Sequence, residues 1–184
     1  VNQLDINGCI NEAATKTINH LDYESIDTGK YLVCFTPEAF LDLIGSFSSM
    51  FNARAVLDGV SLSTKESLGS EISVPVLSLH DNALHPSNYG SCSFDGEGTP
   101  TQNINLIKSG VLSNLLHSEA TARKFGVKPT GHAGLGAKVS VSPDWLVVSK
   151  CENVIDQDET LSVISTKKEY ILIDELSAIH SGVK

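Results

Sequence analysis

The chain has 184 residues, 41% of them hydrophobic, with 13 Lys and Arg against 22 Asp and Glu for a formal net charge of −9. That balance suits a globular domain with a core of its own. It excludes the cationic footprint needed to displace counterions from phosphates, so no direct nucleic-acid binding is expected.

In chain order, Ile10, Ala13, Ala14, Thr17, Ile18 and Leu21 recur at helical spacing, which predicts an amphipathic helix over residues 7–21. Asp27-Thr28-Gly29-Lys30 reads as a turn before a short apolar strand, 31–35. Thr36 suits an N-cap: its hydroxyl can satisfy a free amide, Pro37 has no amide proton to lose, and Glu38 meets the positive end of the helix dipole. The stripe Phe40, Leu41, Ile44, Phe47 and Phe51 carries that helix to about residue 51. Residues 63–69 read as one helical turn closed by Gly69.

Residues 71–79 alternate around Pro75 and predict a strand with an edge or bulge, followed by a loop over 81–91. A strand over 101–107, a Ser109-Gly110 turn and an apolar run over 111–116 form a predicted hairpin. A short helix over 119–125 stops at Gly126, and the glycine-rich stretch 130–136 is expected to be ordered only through contacts. Strands are predicted over 145–149 and 170–176, with a short helix over 158–164 between them. Helices and strands mix without strict alternation, so the expected fold is a single α+β domain over 1–184 with a mostly antiparallel or mixed sheet.

No apolar run approaches the about 20 residues of a membrane-spanning helix, and the first residues lack the basic start and apolar centre of a signal peptide. No membrane contact and a cytoplasmic location are expected. Cys9, Cys34, Cys92 and Cys151 lie far apart without C-x-x-C spacing, which predicts reduced thiols.

Three groups of residues invite chemical readings. Asp95 and Glu97, two apart in Phe94-Asp95-Gly96-Glu97-Gly98, could act as an acid/base pair, or could serve a structural turn by accepting backbone amides. His80, His85 and Cys92 could converge on zinc, although their spacing matches no tight zinc signature; the plainer reading is a strand end and a loop. Gly131, Gly134 and Gly136 lack the Lys-Ser/Thr that follows a phosphate loop, and no nucleophile elbow supports a serine triad.

The stretch 94–131, FDGEGTPTQNINLIKSGVLSNLLHSEATARKFGVKPTG, orders an acidic glycine turn, a strand, a Ser-Gly turn, an apolar run and Thr130-Gly131. That order resembles the TldD/PmbA family, peptide-maturation proteins also called modulators of DNA gyrase. Thr28-Gly29-Lys30 with Pro37, Ser61-Leu62 with Gly69, Leu77-Ser78-Leu79-His80-Asp81 and His180-Ser181-Gly182 extend the likeness over nearly the whole chain. The resemblance is to most of the family's C-terminal domain. It implies a strongly curved sheet with a few flanking helices, a domain preceding Val1 and further strands after Gly182. It also makes Phe94, Asp95, Gly96, Glu97, Gly98, Thr130 and Gly131 family-motif residues that line a peptide groove.

TldD-type members carry H-E-x-x-x-H on the helix after the first strand, where the histidines hold zinc and the glutamate serves as base. That slot falls near Gly45-Ser46-Phe47-Ser48-Ser49-Met50, and no histidine stands between His20 and His80. The resemblance therefore implies the PmbA type, also called TldE: a non-catalytic subunit without a cofactor of its own. Zinc would sit in a TldD-like partner, and the complex (or a dimer of the chain with itself) would clip unstructured peptides. Two alternatives stay open. One is a binding protein that modulates DNA gyrase or a toxin–antitoxin system, its acidic surface attracting a basic face. The other is a hydrolase acting alone through Asp95 and Glu97.

Overall fold

A computed structural model describes residues 5–21, 23–150, 170–177 and 179. The helix predicted over 158–164, Cys151 and His180-Ser181-Gly182 lie outside them. The chain divides into two compact units, residues 1–32 and 33–184.

The first unit is built on helix α1, Ile6–Asn19. Its N-cap is Asp5, whose side chain accepts the Gly8 N–H at 2.8 Å.

In the second unit, β1 (Val33–Phe35) pairs in parallel with β8 (Ile171–Ile173), Cys34 opposite Leu172. Helix α2 (Pro37–Ser46) starts as expected: Thr36 accepts the Ala39 N–H at 3.2 Å, Pro37 opens the helix and Glu38 sits in its first turn. The helix stops five residues short of the expected end. Residues Ser48–Phe51 tighten into a 3₁₀ turn, and a helix the sequence reading missed, α3 (Ala53–Leu57), follows. Asn52 separates them. Its Oδ1 accepts the N–H groups of Arg54 and Ala55 at 2.8 and 3.2 Å, while its Nδ2 donates to the Val141 carbonyl at 2.8 Å. A strong cap inside an apolar stripe ends one helix and starts another. The turn expected at 63–69 is a 3₁₀ turn over Lys65–Ser67, with Gly69 at φ 85°.

Among the described residues the main sheet has four antiparallel strands, in the order β4-β3-β2-β7. Its strands are β2 (Leu77–Asn82), β3 (Asn103–Lys108), β4 (Val111–Leu112) and β7 (Leu146–Lys150). The expected strand over 71–79 is displaced toward the C-terminus. Glu71 makes only an isolated bridge to Val111, and the chain turns before Leu77. Proline at 75 lacks the N–H a ladder needs. The strand instead runs through His80 and Asp81 into the segment read as loop, with a bulge between Leu79 and His80.

The hairpin forms as expected. Lys108 pairs with Val111 across Ser109-Gly110, whose φ values of 48° and 83° are those of a two-residue turn matched to strand twist. Its second strand is only two residues long, because Leu115 and Leu116 turn into the core instead. Helix α4 (Glu119–Phe125) is capped by Ser118 and closed by Gly126 at φ 70°. The glycine-rich stretch contains a short strand, β5 (Ala133–Gly134), paired antiparallel with β6 (Ser140–Val141). Phe51, Leu79, Leu106, Ile107, Leu112, Leu115, Leu116 and Val141 form the core. Burying each leucine is worth about 2 kcal/mol of transfer free energy. The fold is thus mixed α and β around an antiparallel sheet.

Candidate functional site

Alternation along β2 buries Leu79 and Asp81 on the same face. A carboxylate on the core side must be satisfied from within. Asp81 Oδ1 accepts the Trp145 N–H at 2.6 Å, and Oδ2 accepts the Asp144 N–H at 2.8 Å. His132 Nε2 lies 3.1 Å from the same Oδ2, with both side chains 0% exposed. The nitrogen is off-line for a hydrogen bond, so this is a close polar contact rather than an aligned donor. Burial works against the Asp81 carboxylate, but His132 and the two amides outweigh it and hold its pKa below the ordinary range.

The other ring nitrogen, His132 Nδ1, lies 3.0 Å from Thr130 Oγ1. Thr130 Oγ1 also accepts the His117 N–H at 2.8 Å and donates to the His117 carbonyl at 3.2 Å. Its single proton has two claimants, so the His132 ring donates from Nδ1 whenever that proton turns to His117. His117 is itself buried, stands edge-on to Phe125 with ring centroids 5.0 Å apart, and has its pKa pushed down to about 4 by burial.

The acidic turn packs beside this network. Asp95 Oδ1 accepts the N–H groups of Glu97 and Thr99 at 2.9 and 2.8 Å, and Oδ2 accepts the Ala133 N–H at 3.0 Å. Gly96 donates to the Ala133 carbonyl at 2.6 Å. A Cβ on Gly96 would stand 2.8 Å from that carbonyl oxygen, so only glycine permits the approach. Glu97 turns elsewhere: its Oε2 accepts the Glu119 N–H at 2.8 Å, at the start of α4. Gly98 makes the turn at φ 80°.

Between the turn and β5 lies a cavity of about 200 Å³, lined by Cys92, Phe94, Asp95, Gly96, Gly131, His132, Gly134 and Asp144 among others. The Asp144 carboxyl is raised, first by burial and then by Asp81 and Asp95, against the opposing pull of His132.

The family described as "PmbA/TldA metallopeptidase C-terminal domain" matches residues 28–184. The chain belongs to this family. Among curated relatives, a metalloprotease of Synechocystis sp. is 34% identical over 66% of the chain, and the metalloprotease PmbA of Escherichia coli O157:H7 is 31% identical over 67%. The chain spans only about a quarter of their lengths, 26% and 27%. A Thermotoga maritima protein, titled a proposed modulator of a DNA gyrase, superposes with a TM-score of 0.77 at 32% identity, covering 92% of this chain and 38% of its own. TldE from Thermococcus kodakarensis shares the fold, with a TM-score of 0.76 at 21% identity over 96% of this chain and 39% of its own.

Within this PmbA/TldA domain, the motif residues separate. Phe94, Asp95, Gly96 and Gly131 meet at the cavity, whereas Glu97, Gly98 and Thr130 do not line it. Thr130 borders a second hollow of about 390 Å³ with His117 and Phe125. Of the three residues considered as zinc ligands, only Cys92 reaches the first cavity. His80 stands in β2 opposite Val147 of β7, and His85 stacks on Trp145 with centroids 5.2 Å apart and an interplanar angle of 11°. Among the described residues no group of three or more His, Cys, Asp or Glu could hold a metal ion. In the 45–50 slot, Phe47 and Met50 line an apolar hollow of about 250 Å³ with Ile44, Phe51, Ile72 and Leu77. The described residues therefore offer no group that fits a zinc ion. No described helix is long and apolar enough to cross a membrane.

The sequence reading passed over Asp81 as a site residue and did not consider His132. A signal for Asp81 existed: Leu77, Leu79 and Asp81 share one strand face, so the carboxylate had to be buried with partners. Nothing in the sequence marked His132, whose partner stands 51 positions away.

Proposed function

We propose that this domain is part of a PmbA/TldE-like subunit in a TldD/PmbA-type metallopeptidase complex that processes or degrades peptides, and that it supports the groove in which an extended peptide lies. The observation that carries this reading is the family match over residues 28–184. The slot where TldD-type members place H-E-x-x-x-H reads Gly45-Ser46-Phe47-Ser48-Ser49-Met50, which has no zinc ligand of ordinary strength and no general base. Zinc and the bond-breaking chemistry then belong to a TldD-like partner. This chain contributes shape: glycine turns that bring backbone close to backbone, and short strands suited to pairing with an extended peptide. The strongly curved sheet expected from the resemblance belongs to the complete protein under the same reading.

Mixing the chain, within its full-length protein, with a TldD-like chain tests this. A single complex on sizing and cleavage of unstructured peptides, lost when the partner's H-E-x-x-x-H is altered, is the expected result. Cleavage unchanged by its addition, with no complex formed, sinks the reading.

The likeness to a protein titled a proposed modulator of a DNA gyrase favours a second reading, a binding protein acting on gyrase or on a toxin–antitoxin system. A pull-down in moderate salt that recovers neither removes it. For a hydrolase acting alone, Asp95 and Glu97 would have to release the backbone amides they hold. Peptide cleavage by purified full-length chain, abolished in Glu97→Ala, would be needed to support it.

A further inference from the structure

We infer that Asp81 and His132 are a positioning pair that sets the spacing of the cavity's two walls, and through it the grip on an extended peptide. The ligand class rests on the peptide-groove reading above; the geometry of the pair does not.

One wall of the cavity is the stretch Gly131, His132, Ala133 and Gly134, and the other carries Ser142 and Asp144. Asp81 lies behind both and touches each: His132 through the 3.1 Å polar contact, Asp144 through its N–H at 2.8 Å. The neighbouring residue, Ala133, is held by a second carboxylate, Asp95, at 3.0 Å. Residues 132 and 133 are thus fixed by one aspartate each, from β2 and from the acidic turn. The His132 ring is 0% exposed, with one nitrogen facing Asp81 and the other Thr130, so the residue meets the cavity through its main chain, and its ring is held by groups that do not line the cavity themselves.

Stability alone is a weak reason for this arrangement. Removing a carboxylate and an imidazole from water costs more than burying an apolar pair of the same volume, and replacing buried ion pairs with apolar groups is often neutral or stabilising. What such a pair supplies is a defined geometry, because a polar contact tolerates less displacement than an apolar one. Asp81 shares the buried face of Leu79, and its contacts to His132 and Asp144 carry that geometry from the core side to two residues that line the cavity.

The test compares the full-length protein with Asp81→Asn and His132→Gln variants. One arm measures binding of a fluorescein-labelled, unstructured decapeptide of Ala, Ser and Thr by anisotropy. The other follows amide hydrogen exchange at residues 132–134, 144 and 145, with Leu106 as the core reference. Both variants should weaken peptide binding about tenfold. Exchange should quicken along the two walls while Leu106 keeps its protection.

If the Asp81 variant fails to fold, His132→Gln, which leaves both amide bonds to Asp81 in place, carries the test. Wild-type affinity with wild-type exchange overturns the inference. So does a uniform loss of protection that includes Leu106, because that is a merely structural role. If the wild-type protein binds no peptide, the groove reading fails, and the exchange arm alone decides the pair.

Discussion

The Asp95 carboxylate reaches across 38 residues of chain to accept the Ala133 N–H at 3.0 Å. Its other oxygen closes the acidic turn on Glu97 and Thr99. One side chain therefore both shapes a turn and moors a strand. Asp95→Ala leaves three N–H groups without their acceptor and should destabilise the fold by about 2–3 kcal/mol. Asp95→Asn keeps one acceptor oxygen but puts an amide group against an N–H, and should cost about half as much. Urea unfolding checks both, as a lower midpoint at an unchanged slope. A loss below about 0.5 kcal/mol in Asp95→Ala would show that water replaces the carboxylate without cost.

Two glycines with similar backbone angles should respond differently to alanine. Gly98 has φ 80° and open space where a Cβ would go; Gly131 has φ 77°, and a Cβ there would run into the Pro100 carbonyl and stand 2.7 Å from Thr101 Cα. Gly98→Ala carries only the left-handed backbone penalty, about 1–2 kcal/mol. Gly131→Ala adds a clash with backbone that cannot swing aside, and should cost about 3 kcal/mol or more. Equal losses in thermal or urea unfolding would refute the close approach of Gly131 to Pro100.

His117 makes stability depend on pH. Its pKa is lowered from 6.5 to about 4 in the folded protein, so the unfolded chain binds the extra proton first. Its contribution is complete above about pH 6.5 and is lost as pH falls toward 4. The whole effect is about 3 kcal/mol at most, from the size of the shift. Asp81, whose pKa is lowered, adds a further loss of the same sign below the ordinary carboxylate range, while the raised Asp144 works in the opposite sense just above that range. His117→Gln should flatten the curve between pH 6.5 and 4 without changing it below. Urea midpoints at half-unit intervals measure this, and an unchanged slope in the variant would contradict a buried neutral His117.

Much of the fold was legible because the responsible forces act within a few residues. The Thr36-Pro37-Glu38 helix start, the Ser109-Gly110 hairpin and the Gly126 stop all appear where the local chemistry places them. The errors fell where a local preference met a distant partner. Asn52 interrupts an apolar stripe because it reaches Val141 as well as its own amides. The run to Leu116 leaves the sheet after Leu112 because Leu115 and Leu116 are drawn into the core. β2 runs on past Leu79 because β3 and β7 lie on either side of it.

The sequence by itself determined the family resemblance, the acidic charge balance of the chain, and the structural option for Asp95-Gly96-Glu97. These rest on residue type, order and short spacing. Only the tertiary structure decided that Asp95 and Glu97 hold separate amides, that His80, His85 and Cys92 do not gather into one group, and that Asp81 meets His132 behind a cavity. The physical reason is the same in each case. A side chain's charge state and partners depend on which distant backbone comes within about 3 Å of it, and a one-dimensional pattern carries no such distance.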